Sequence, residues 1–385
     1  MNVTKRELRR RRRSSVPARR WLLTAGSAAA AMVLAACGGA GAADSGDGEE
    51  SIELVVATMT EPAVPNAAVM NWFVDEVEAR SDGRLTFDVT PPNSLCPANE
   101  IAVCTQDGRA DVGVAIPDYT PQIFPTITVV SVPFVAADSQ ALVQSLYEIN
   151  HEHEGAREVW AANDLKMIAH WSGGRLTLGS PEPIESIDDL QGLRWRMSGP
   201  YLQRAMEQVG GSNVALTAPE TYEAVERGVV DAVGFALDGA VDYQLMELLP
   251  YWTDAGTGHY NTFGMWFNQD TYDGLPDDLR KIVDEVTAEL NGGEAVRAFS
   301  EVAETQCEAL MEHPNVETLD AWSDEAVQQW DDAVGDKLLE RWITDAEANG
   351  LSDARGYLDA YMEKLETHGD QIPDPLDLCV ERFSQ

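Results

Sequence analysis

"SIDDLQGLRWRMSGP", Ser186 to Pro200, is the stretch from which the rest of the chain can be organised. Its centre alternates apolar and basic residues, and in a strand successive side chains point to opposite faces. Leu193, Trp195 and Met197 then share one face, and Arg194 and Arg196 share the other. The first face reads as core. The second is either solvated surface or a face that holds something negative. Around this strand, "GGRLTLGS" (173–180) reads as another strand, and "YLQRAMEQVGGSNVAL" (201–216) as a helix and a strand. "APETYEAVERGVVDAVGFALDG" (218–239) reads as a helix and then a strand. Upstream, "SIELVVAT", "RLTFDVT" and "LKMIAHW" read as strands, with "NAAVMNWFVDEVEARSDG" a helix stopped at Gly83. "EIAVCTQDGRADVGVAIP" reads as helix, turn and strand, and "SQALVQSLYEINHEHEGAREVWAAN" as one long helix. This alternation predicts an α/β fold with mixed, mainly parallel sheets and helices on their faces. A second block starts near Gly173, and the chain returns through "HYNTFGMWFNQDTYDGLPDDLRKIVDEVTAEL". Two lobes with a ligand cleft and a hinge between them are therefore expected. The first comprises 52–172 plus about 258–300, the second 173–257 plus about 301–385 with the C-terminal helices.

The 385 residues carry a formal net charge of −38. The first 37 hold nine Lys or Arg and one Glu, so the chain beyond Cys37 carries −46, with four lysines (Lys166, Lys281, Lys337, Lys364). Such a field repels nucleic acid and anionic membrane surfaces, which are therefore poor partners. It is compatible with life in high salt.

The N-terminus reads as an address. A basic segment precedes an apolar one from Trp21 to about Leu34, too short to span a membrane. Leu34-Ala35-Ala36-Cys37 resembles a bacterial lipobox, in which the cysteine is lipidated and becomes the first mature residue. Residues 38–51, rich in Gly, Ala and Asp, read as a flexible tether. The expectation is an extracytoplasmic body, lipid-anchored to the outer face of the cytoplasmic membrane; export by the Sec or the twin-arginine route is left open. Four further cysteines in an exported chain imply disulfides with three possible connectivities, of which Cys96–Cys104 and Cys307–Cys379 are preferred. Their spacings fit no zinc pattern.

From Ile52 to about Leu290 the chain resembles the DctP-type solute-binding proteins of TRAP (tripartite ATP-independent periplasmic) transporters. The matching pieces run in order: "GRADVGVA" (108–115), "VSVPFV" (130–135), "GGRLTLGS", "SIDDLQGLRWRMSGP", "PETYEAVERGVVDA" (219–232) and "FNQDTYDGLPDDLRKIVDEV" (267–286). The resemblance implies a two-lobed, periplasmic-binding-protein-like fold. It also implies capture of a small carboxylate-bearing organic acid between the lobes and delivery to the membrane subunits of a TRAP permease. The family's anchor for the ligand carboxylate is the second arginine of its K/R-x-R element, here Arg196. A guanidinium offers planar, bidentate donors and stays charged when desolvated. Arg175 matches a second frequent arginine of the family, expected to assist on the same carboxylate, while Arg194 is expected to be structural.

The chain departs from the family's subgroups. Where sialate-binding members carry "Q-E-N-P", this sequence has Val233-Gly234-Phe235-Ala236. The nearer likeness is the keto-acid branch "V-D-A-x-E-W", which places Phe235 as an aromatic wall of the cleft. That branch's cation-holding glutamate is Gly234 here, so neither a metal nor another cofactor is expected. Tyr119 and Trp266 are further candidate cleft residues, and Glu61 a candidate acceptor for a ligand hydroxyl or ammonium. No G-x-S-x-G or H-E-x-x-H occurs, and the six histidines are scattered, so an enzyme is not expected. The alternatives are a binding protein for another importer or a sensor, and an exported hydrolase.

Overall fold

A computed structural model describes residues 51–368 and 374–384. The leader, Cys37 and nearly all of the tether fall outside the described residues. The chain enters as β1 (Ile52–Thr58), α1 (Pro65–Arg80), β2 (Leu85–Val89), α2 (Ile101–Gln106), β3 (Val112–Ala115), α3 (Ser139–Glu152), α4 (Glu154–Ala162) and β4 (Leu165–Ser172). A second block follows: β5 (Arg175–Ser180), β6 (Arg194–Arg196), α5 (Pro200–Gln208), β7 (Ser212–Asn213), α6 (Thr221–Glu226), β8 (Ala232–Phe235), α7 (Leu237–Asp242) and β9 (Tyr251–His259). The return is β10 (Thr262–Asn268), α8 (Gln269–Gly274), α9 (Asp277–Glu289) and α10 (Ala295–Glu312). The tail is β11 (Thr318–Ala321), α11 (Asp324–Ala348), α12 (Ala354–Thr367) and α13 (Pro375–Phe383).

Two mixed sheets result, as the alternation of elements predicts. One runs β2-β1-β3-β10-β4, the other β11-β9-β5-β8-β6-β7. The same local device starts one strand in each lobe. Gly108 and Gly228, at φ +72° and +64°, reverse the chain after α2 and α6. Three residues later an aspartate clamps the neighbouring strand. Asp111 accepts from the Val55 N–H at 2.8 Å, and Asp231 from the Arg194 N–H at 2.9 Å. Asp231 also pairs with the Arg194 side chain, so Arg194 is a registration residue on the lobe's surface.

Three features of the sequence read differently in the fold. The long helix expected over 139–163 is two helices, because the chain turns at His153 (ψ 125°). There Gly155 lies against Ser352, whose carbonyl would sit 2.5 Å from a Cβ, and the tail decides the break. β9, between β11 and β5, carries Thr, Asp and two glycines at positive φ (Gly256, Gly258), which hid it in the sequence. The C-terminal helices do not all stay with the second sheet. α12 lies along α3 of the first, its buried Tyr357 donating to the Thr126 carbonyl and accepting from Asn150, both at 3.0 Å.

The lobes are joined by paired crossing strands. β4 passes into β5 through Gly173-Gly174, and β9 into β10 through Tyr260-Asn261. The Gly173 N–H donates to the Asn261 carbonyl (3.2 Å), and Ser172 Oγ meets His259 Nδ1 at 2.6 Å, so the crossings are tied side by side. The lobes also touch across the cleft. Asn66 of α1 donates to Asp238 of α7 at 2.7 Å. Gly199, at φ +75° ahead of α5, has room only for hydrogen, since a Cβ would lie 2.5 Å from the Asp118 carboxylate.

The cysteines are bonded as Cys96–Cys104 and Cys307–Cys379, the second fastening α13 to α10 across 72 positions. Closing a loop of that length in the unfolded chain implies about 4 kcal/mol of stabilisation. Cys379→Ser is therefore expected to lower the unfolding free energy by a corresponding amount relative to the disulfide-intact parent, and the reduced parent should lose at least as much. A second expectation concerns Asp118, which is buried and accepts from Ser131 Oγ at 2.5 Å. Burial pushes its carboxyl up to about 7. The folded state keeps that proton where the unfolded chain has lost it, above about pH 4, so stability falls as pH rises through this interval. Asp118→Asn should gain stability relative to the parent between about pH 4 and about pH 8, by roughly 4 kcal/mol. A difference between the two proteins that is flat with pH would contradict the assignment.

Candidate functional site

Arg196 ends β6, between β8 and the edge strand β7, and it has no accessible surface. Its alternation partners behave as the sequence requires: Trp195 and Met197 are in the core. Arg196 Nε donates to the Leu216 carbonyl (3.3 Å), Nη1 to the Gly234 carbonyl (3.1 Å) and Nη2 to the Tyr119 hydroxyl (3.3 Å). Its guanidinium lies over the Phe235 ring, 4.0 Å from the centroid. Among the described residues no carboxylate pairs with it. The side chain is thus held in place by neutral acceptors and an aromatic face, with three of its roughly five N–H groups used. The guanidinium is desolvated without a direct salt bridge among the described residues, and its charge is felt by Glu220, whose carboxyl is lowered by hydrogen bonds from Thr217 and then by Arg196.

Tyr119 comes from the other lobe, on the turn after β3. Its hydroxyl accepts from Arg196 and from the Ala218 N–H at 2.9 Å, which brings it across the cleft. Phe235 ends β8, is buried, packs on Tyr243 at 5.7 Å, and walls the cavity that the two lobes enclose. That cavity, about 20 Å³, has Asn66, Phe235, Asp238, Tyr243 and Tyr260 in its lining. It holds little more than one water-sized sphere, so a solute can enter only when the lobes part. On the far side of Tyr119 an open groove of about 450 Å³ runs past Met197, Leu216, Thr217 and Glu220. Burial raises the Tyr119, Tyr243 and Tyr260 phenols above their ordinary range, while the Arg196 charge pulls each of them back down. All three therefore stay neutral donors beside the guanidinium.

Other expected residues lie elsewhere. Arg175 does not reach this site. It begins β5 at the crossing, where its guanidinium is committed to Asp254 of β9 and Asp377 of α13. The sequence could not show this, because both partners are brought up by strand pairing and by the stapled tail. Trp266 is not a cleft residue either. It is fully buried in the first lobe, 4.5 Å from Phe124 and stacked on His170, in space left by Gly113. Phe263, from the same strand, lines the cavity instead. Glu61 stands exposed at the cavity rim. Thr60, Asn66, Asp238, Tyr243 and Tyr260 carry no signal in the sequence; they come from four separate segments and share no spacing pattern. Among the described residues no His/Cys/Asp/Glu cluster is arranged for a metal, and no helix is long and apolar enough to cross a membrane.

Comparison with known proteins agrees with this architecture. The ectoine-binding periplasmic protein TeaA of Halomonas elongata is 22% identical over 291 residues, 72% of this chain and 84% of that protein. The C4-dicarboxylate-binding periplasmic protein DctP of Rhodobacter capsulatus is 22% identical over 244 residues, 62% and 72% of the two chains. Among solved structures, a TRAP solute-binding protein of Rhodoferax ferrireducens with copurified benzoate superposes with a TM-score of 0.75 at 21% identity, covering 82% of this chain and 98% of that one. DctP6 of Bordetella pertussis, which binds pyroglutamic acid, gives 0.71 at 19% identity, covering 81% and 100%. Residues 56–344 match the family described as bacterial extracellular solute-binding protein, family 7. That span is most of the chain and includes both sheets, the crossings and Arg196, and the protein is a member of this DctP family, a solute-binding protein of the TRAP transporter type.

Proposed function

We propose that the protein captures a small organic acid by its carboxylate, with Arg196 as the anchor, and delivers it to the membrane subunits of a TRAP permease. The observation that carries this is the buried Arg196, held by neutral groups and without a direct salt bridge among the described residues in a chain of strongly negative charge. A solute carboxylate would supply that direct partner, with Tyr119 closing from the opposite lobe and Phe235 forming the wall. Family relatives and neighbours are binding proteins, which favours a receptor over the exported hydrolase. In this reading Cys37 carries the lipid that keeps the body at the outer face of the membrane, on the tether 38–51. Motion about the crossings at Gly173-Gly174 and Tyr260-Asn261 opens and closes the cleft between a lobe of 52–172 with 258–300 and a lobe built on 173–257. Delivery to a different importer or to a sensor is the competing reading, and it differs in the membrane partner rather than in the site.

The test is a melting-point screen of organic acids on the parent, Arg196→Ala and Arg196→Lys. A solute present well above its dissociation constant raises the melting point by mass action. A carboxylate that stabilises the parent should fail on Arg196→Ala. It should bind Arg196→Lys about 30- to 100-fold more weakly, the loss of roughly 2–3 kcal/mol for a bidentate, charge-assisted contact. Stabilisation by neutral sugars or peptides, insensitive to both variants, would displace the anchor from Arg196.

A further inference from the structure

One wall of the cavity is acidic, and Arg196 does not line the cavity but lies against Phe235, which does. Asp238 of α7 is largely withdrawn from solvent, accepting from Asn66 Nδ2 and from the Gly239 N–H, both at 2.7 Å. Asp242 lies one turn further along the same helix face, with one oxygen accepting from Gln306 at 3.0 Å. Both line the cavity with Glu61, and among the described residues no Lys or Arg pairs with any of the three. Thr60, only 4% exposed, lines the same cavity, and its Oγ1 has no hydrogen-bond partner. The remaining walls include the rings of Phe235, Tyr243, Tyr260 and Phe263 together with Val64, Ile116 and Ala218.

We propose that the solute carries a cationic nitrogen in addition to its carboxylate, and that Asp238, Asp242 and Thr60 form the subsite that receives it. This rests on the reading of Arg196 as the carboxylate anchor. Phe235 connects the two groups: its ring bears the Arg196 guanidinium, and its side chain packs against Gly239, next to Asp238. An ammonium or amidinium satisfies what the acidic wall lacks. It offers hydrogen-bond donors to two carboxylates and a hydroxyl, and its charge relieves their mutual repulsion. The aromatic walls suit the same charge, since ring faces attract cations. A neutral or purely anionic solute offers these groups no counter-charge, so they must stay protonated beside it, and above their titration that cost favours a cationic solute. The titration of these groups agrees. Burial raises Asp238 to about 7, and burial together with the Asp238 charge raises Asp242 to about 8. Without a cation the wall holds protons, and a cationic solute displaces them.

Matched pairs of carboxylates that differ in one group test this: phenylglycine against mandelate, and proline against pyroglutamate. Each is titrated into the parent, Asp242→Asn, Asp238→Asn and Arg196→Lys by calorimetry. The expected result is that the amine-bearing member binds the parent at least about tenfold more tightly than its partner. That ratio should fall at least about tenfold in Asp242→Asn, with protons released on binding as read from buffers of different ionisation enthalpy. Asp238→Asn serves as the second variant, and unchanged circular dichroism certifies both. Equal or tighter binding of mandelate and pyroglutamate by the parent, or a ratio unmoved by either Asn variant, overturns the subsite and leaves the anchor standing. Binding of no member of either pair, or binding indifferent to Arg196→Lys, overturns the anchor and the subsite together.

Discussion

A guanidinium taken out of water, with no carboxylate beside it, is the constraint around which this protein is arranged. Charged groups in protein interiors are ordinarily paired, because desolvation is expensive and an opposite charge offsets it. This chain has acidic residues in great excess, and its other arginines near the surface find them readily: Arg194 meets Asp231, Arg175 meets Asp254 and Asp377. Arg196 is kept from doing so. Its donors go to two carbonyls and a phenol, and its face rests on Phe235. Strand β6 supplies the position, β8 supplies both Gly234 and Phe235, and the opposite lobe supplies Tyr119.

The lobes serve that arrangement. The hydrogen bonds across the cleft include Tyr119 with Arg196 and Ala218, and Asn66 with Asp238. Such contacts exchange with water at small net gain, so the interface can open without unfolding either core. The crossing strands are tied side by side by Ser172 and His259. The tail adds a second restraint. The disulfide to Cys379 keeps α13 at α10, and Asp377 on that helix neutralises Arg175 at the crossing. One arginine is thereby removed from competition for the solute and committed to the scaffold.

Much of this was legible in the residues. The alternation in "LRWRM" assigned Trp195 and Met197 to the core and placed Arg196 on the other face. The Gly-x-x-Asp pairs at 108–111 and 228–231 marked the starts of two strands, because a left-handed glycine and a clamping aspartate are local requirements. The fates of Arg175 and Trp266 were not legible. Whether an arginine faces a solute or two aspartates depends on β9 and α13, elements 79 and 202 positions away in sequence. Whether a tryptophan on β10 faces cleft or core depends on the space that Gly113 leaves across the sheet.

By itself, then, the sequence determined the fold class, the charge and the opposite facing of Arg196 and its neighbours Trp195 and Met197, because periodicity, turn chemistry and residue type act over a few residues. Only the tertiary structure decided which side chains share the cavity. Thr60, Asn66, Phe235, Asp238, Tyr243 and Tyr260 meet because two sheets and a helix converge at the crossings. The acidic wall of the cavity comes from that convergence. Two aspartates four apart on a short helix look like solvated surface in the sequence, and become a largely desolvated pair only when Asn66 and Tyr260 close over them.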